Sequence, residues 1–174
     1  MKRRNWLGVA VATGAGLAGA GLAWYRFQPH DVAGGAVDGL WAQTWDGPQG
    51  DKVAMQQFRG RLLLVNFWAT WCPPCVEELP MLNAFYQERR AAGWQVLGLA
   101  IDQPSAVRQF LGKLPLDFPV ALAGLGGTDL SRQLGNTNGG LPFTVVFDSR
   151  GAVAQRKIGQ VKPDDLQAWV QSTT

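Results

Sequence analysis

Cys72 and Cys75 stand three residues apart with Pro73 and Pro74 between them, and the 174-residue chain has no other cysteine. Two thiols at this spacing can exchange a disulfide. The thiolate is the attacking species, and an ordinary thiol, with a pKa near about 8.5, supplies little of it at neutral pH. A helix N-terminus corrects this, because unpaired N–H groups and the macrodipole favour negative sulfur. At i, i+3 the second sulfur lies one turn on, where it can displace whatever the first has captured. Pro73 and Pro74 fit a first turn, whose N–H groups have no helical partner to lose. Other readings of the pair are half a metal site, a structural disulfide and two inert thiols. The only histidine, His30, lies far away in the sequence, which leaves too few ligands for zinc. A disulfide closing so short a loop adds little stability. Inert thiols have no reason to flank a proline pair at a helix start.

The elements around the pair follow from pattern. Leu62 to Phe67 is a nearly continuous apolar run, which predicts a strand covered on both faces. The helix opened by the cysteines is expected to reach about Arg90, with Leu79, Leu82 and Phe85 inward. Gln95 to Ile101 predicts a second buried strand, Pro104 to Leu114 a helix, Phe118 to Ala123 a short extended piece and Asp129 to Leu134 a short helix. Gly139-Gly140-Leu141-Pro142 is a turn before two strands, Phe143 to Asp148 and Val153 to Ile158, joined by a hairpin. A last helix covers Pro163 to Gln171. Leu40 to Arg61, broken by Gly47-Pro48 and Gly50-Asp51, predicts a small β-hairpin leading in. The sum is an α/β fold with a mixed sheet and helices on both faces.

The N-terminus reads as an address. A basic cap, Met1 to Arg4, precedes Trp6 to Tyr25, which carries no charge. Twenty helical residues span about 30 Å, the thickness of a bilayer's apolar core. Residues 1–27 are therefore expected to be a membrane anchor or an uncleaved signal, 28–39 a polar tether, and 40–174 the folded domain. Ala18-Gly19-Ala20 would permit signal cleavage instead, giving a soluble exported domain, and Arg3-Arg4 allows a twin-arginine reading. Each of these places the domain outside the cytoplasm, anchored on the periplasmic side of the inner membrane if the segment is kept. The formal charge of +3 comes from Lys2, Arg3, Arg4 and Arg26; the rest has 12 basic against 13 acidic residues. No basic stripe remains for phosphate backbones, which argues against nucleic acid as a partner.

Val65-Asn66-Phe67-Trp68-Ala69-Thr70-Trp71-Cys72-Pro73-Pro74-Cys75 resembles the thioredoxin superfamily, and more narrowly its TlpA/ResA-like, membrane-tethered thiol–disulfide oxidoreductases. Glu78-Leu79-Pro80 and Pro142-Phe143-Thr144-Val145-Val146-Phe147-Asp148 follow in family order. The resemblance covers about Leu40 to Trp169. It implies a three-layer α/β/α fold with an extra βα insertion, placed around Leu114 to Leu134. It implies Cys72 as nucleophile, Cys75 as resolving thiol, a Cys72–Cys75 disulfide, a cis peptide before Pro142 and a helix kink at Pro80. Glu78 matches an acidic residue that could shuttle the Cys75 proton. Asn66 stands where plain thioredoxin has a buried aspartate, so that position cannot carry the proton.

Trp71, Pro73, Pro74, Leu141 and Pro142 are expected to meet the client. The implied activity is reduction of disulfides in exported proteins, apocytochrome c or copper-site cysteines, with electrons from a membrane thiol–disulfide donor and with neither cofactor nor metal. Alternatives are a disulfide-forming oxidant and a non-catalytic Cu(I)-binding chaperone. A peroxidase fits less well, since Thr70 stands two residues before Cys72 rather than three.

Overall fold

In the computed structural model, residues 32–173 are described. Seven residues, Leu62–Trp68, form β3, and all but the first are buried. Their alternation sends Leu63, Val65 and Phe67 to one apolar cluster and Leu64 and Trp68 to another. A strand buried on both faces must be central, and β3 is: it pairs in parallel with β4 (Trp94–Ala100) and antiparallel with β6 (Phe143–Phe147). β5 (Val120–Leu122) flanks β4, and β7 (Val153–Ile158) flanks β6, giving the order β5-β4-β3-β6-β7.

Helices cover both faces. Against Leu64, Trp68, Val96 and Ala100 pack Leu79, Leu82 and Phe85 of α2 (Pro73–Arg89), Val107 of α3 (Pro104–Lys113), and Leu166 and Trp169 of α5 (Pro163–Ser172). The other face receives Leu40 and Trp41 of α1 (Val32–Trp41), Val53 of a hairpin formed by β1 (Thr44–Asp46) and β2 (Lys52–Ala54), the turn Met55–Phe58, and Leu130 of α4 (Gly126–Gln133). This is the thioredoxin-like mixed α/β sheet the sequence implied, with the lead-in hairpin present. β5 and α4 fall where the insertion was placed.

The tether expected over residues 28–39 is helical from Val32 onward. Its glycines are poor helix formers, each costing about 1 kcal/mol against alanine. Tertiary burial outweighs them at the C-terminal end. Trp41 is buried, its Nε1 donates to the Gly151 carbonyl at 3.1 Å, and its ring meets Phe147 edge-on. The proposed anchor, Trp6 to Tyr25, lies outside the described residues. Among the described residues no helix is long and apolar enough to cross a membrane.

One mid-strand glycine is closely packed. A Cβ at Gly98 would lie 3.0 Å from Trp68 Nε1 and 3.1 Å from Phe118, so the bare backbone of β4 makes room for the Trp68 indole.

Candidate active site

The C-terminal end of β3 delivers the chain into the turn that carries the cysteines. That turn is pinned: the Thr70 N–H and hydroxyl both donate to Asp102 Oδ2, at 2.9 and 2.6 Å, just past the end of β4. Burial pushes the Asp102 carboxyl up, but its bonds from Thr70 and the Gln103 N–H outweigh this and hold it below the usual range. Beyond the pin Cys72 is the N-cap of α2, with prolines at the first two helical positions. Cys72 and Cys75 form a disulfide, their Cα atoms 5.3 Å apart.

Both cysteines are buried beneath an exposed tryptophan. Cys75 is fully buried and Cys72 is 3% exposed, while Trp71 beside it is 66% exposed. Pro73 is exposed and Pro74 partly so.

The prolines alter the electrostatics expected at this helix end. They delete two N–H donors, and the next two, of Cys75 and Val76, both donate to the Cys72 carbonyl at 3.1 Å. The dipole still favours a Cys72 thiolate, but the free amide donors expected there are absent or spent.

Leu141-Pro142 is a cis peptide. Phe143 pairs with Phe67 across β6 and β3, so Pro142 arrives at the sheet edge where β3 hands over to the Cys72 turn. Pro142 is buried and its carbonyl accepts from the Gly159 N–H at 2.9 Å, whereas Leu141 is half-buried against the apolar cluster that contains both cysteines. The approach to this turn is held by Asn136, whose amide donates to the Gly140 carbonyl at 2.8 Å.

Glu78 is 1% exposed, one turn along α2 from Cys75. Its carboxyl is held from two sides: Oε1 accepts from Asn66 Nδ2 at 2.7 Å and Oε2 from the Val161 N–H at 2.6 Å. Asn66 also donates to Thr144 Oγ1 at 3.0 Å. Burial raises the Glu78 pKa to about 7, against the opposing pull of Val161, Asn66, Lys162 and Lys157. A carboxyl titrating near neutrality can take and return a proton at working pH.

Asn136, Thr144 and Val161 were not singled out as site residues from the sequence. Thr144 and Asn66 did carry a signal, as polar residues inside apolar strand runs; Val161 acts through its backbone and carried none.

A family model described as Redoxin matches residues 44–169. A thiol-disulfide oxidoreductase ResA from Bacillus cereus is 31% identical over 129 residues, covering 72% of this chain and 71% of that protein. Among solved structures, a thiol:disulfide interchange protein of the thioredoxin family from Chlorobium tepidum TLS has a TM-score of 0.65 and 25% identity, over 75% of this chain and 92% of the other. A secreted thiol-disulfide isomerase from Corynebacterium glutamicum shares the fold, with a TM-score of 0.65 and 22% identity over 77% of this chain and 82% of the other. With its disulfide capping a helix beside a cis-proline turn, the chain belongs to the redoxin family and, within the thioredoxin superfamily, to the TlpA/ResA-like thiol–disulfide oxidoreductases.

Proposed function

We propose that the protein is an extracytoplasmic disulfide reductase for exported protein clients, such as apocytochrome c or copper-site cysteines, re-reduced by a membrane thiol–disulfide donor. The observation that carries the direction is the pair of prolines after the N-cap. With no spare amide donors at the helix end, the Cys72 thiolate is stabilised by little beyond the dipole. A less stable thiolate makes a less stable dithiol form, hence a stronger reductant. Location rests on the uncharged run after the basic cap of the sequence.

The cycle balances as follows. The Cys72 thiolate attacks one sulfur of the client disulfide, and the other leaves as a thiolate. Cys75 passes its proton to the Glu78 carboxylate and attacks the Cys72 sulfur. The client's second thiolate departs and is protonated from solvent, to which Glu78 releases the proton it took from Cys75. Two electrons have moved to the client, and the protein is left with its own disulfide. The client main chain lies along Leu141 and Pro142, with Trp71 covering apolar client surface beside the sulfurs.

A redox titration against glutathione tests the direction. The expected potential is close to thioredoxin's about −270 mV; a value near the about −120 mV of strong oxidants would reverse it. Insulin reduction driven by dithiothreitol should disappear in Cys72→Ser.

A further inference from the structure

Asn66 is an unusual occupant of its strand. It is fully buried at the centre of the sheet, on the seven-residue strand Leu62–Trp68. Both of its amide donor contacts are used, one on Glu78 and one on Thr144. Its own carbonyl oxygen is buried and has no hydrogen-bond partner. A side chain placed only to fill space would be apolar here, and one placed only to join two strands would be satisfied at both ends, because an unpaired buried acceptor is costly. The amide is oriented to serve the carboxylate at the expense of its own oxygen.

We infer that Asn66 is a positioning residue for proton transfer, its amide fixing the Glu78 carboxyl in a hydrogen-bonded, proton-accepting pose. This deepens the cycle above and rests on Glu78 being the acceptor for Cys75. The geometry gives Asn66 a part that no other side chain shares among the described residues: it is the one side-chain donor on Glu78, the other donor being the Val161 backbone. Thr144 braces the amide from β6, two residues past the cis-proline.

The charged groups around the carboxyl are otherwise engaged. Lys157 of β7 holds Asp165, and Lys162 gives its N–H to Asp165 and its ammonium to Gln160. Glu77 of α2 faces Gln160, and Cys75 stands one turn earlier on the same helix. The lysines pull the carboxyl's pKa down through space, and Asn66 does so by direct contact. A donor to the charged form favours that form. Removing it should leave a weaker acid.

The test follows the Glu78 carboxyl carbon by NMR in the oxidised full-length chain, and separately the pH profile of Cys75 displacing a thionitrobenzoate group from Cys72. In Asn66→Leu, close in shape but with no donor, the Glu78 midpoint should rise by about one pH unit. The displacement profile should move to higher pH by the same amount and reach the wild-type plateau there. In Asn66→Asp two carboxyls share the site, so titration should split into two steps, the upper one above the wild-type midpoint. Thr144→Val, which leaves the donor to Glu78 in place, should keep the midpoint near wild type. A Glu78 midpoint that stays put in Asn66→Leu overturns the inference, as does a single unshifted step in Asn66→Asp should the leucine variant fail to fold. A midpoint that moves while the displacement profile does not would instead remove Glu78 as the acceptor.

Discussion

Glu78 ties stability to pH in a direction opposite to that of most carboxylates. Its folded pKa, about 7, lies above the ordinary 4.5. Between those values the folded state holds a proton that the unfolded chain releases, so stability falls as pH rises through that window and stays at its lower value above it. At about 1.4 kcal/mol per unit, the loss is on the order of 3 kcal/mol. Glu78→Gln should therefore denature at a higher midpoint than wild type at pH 8 and at a similar one at pH 4; urea titrations at both values check this. An equal gain at both would show that desolvated charge is not what burdens the site. The two cysteines were readable because their spacing, prolines and predicted helix start all point to one chemistry. Glu78 was named through the family resemblance, three residues further on. What holds Glu78 was not readable. Asn66 meets it from 12 residues away, Thr144 reaches Asn66 across 78 and Val161 reaches Glu78 across 83, contacts between strand, helix and loop that no local pattern encodes.

At the scale of elements, the redox turn is fixed by what lies at the ends of the parallel strands. β3 runs into the turn, and just past the end of β4 stands Asp102, whose carboxylate accepts twice from Thr70. Replacing Asp102 by alanine leaves the Thr70 N–H and hydroxyl without that acceptor and should lower stability by about 1–2 kcal/mol in a denaturant titration. No change would mean that the turn is held by its own backbone. The strands and helices were legible wherever burial and periodicity agree, as in β3, β4, α2 and α5. The helix from Val32 was not, because VAGGAVDG has the composition of a linker. Its fold is imposed at the far end, where Leu40 and Trp41 reach the apolar layer beneath the sheet.

The unit of Gly35–Thr174 has two apolar layers, one on each side of the sheet, and only one of them holds the disulfide. The other is closed by Trp41, which also lies under the Arg59 guanidinium at 4.9 Å. Trp41→Ala should cost about 3–5 kcal/mol of stability by calorimetry or urea titration. A loss below about 1 kcal/mol would show that α1 does not help seal that layer. The overall architecture could be read from the sequence because successive elements bury complementary faces. The charge balance was equally plain, with the basic excess confined to the N-terminus. The outer strand β7 carries one more consequence. It alternates half-buried and exposed positions, carries Arg156 and Lys157 in succession on opposite faces, and meets its neighbour through an irregular register at Val146 and Phe147. Cationic side chains and an interrupted ladder discourage another chain from zipping onto such a rim. A sheet that leaves its last strand open to solvent is thereby guarded against edge-to-edge association with copies of itself.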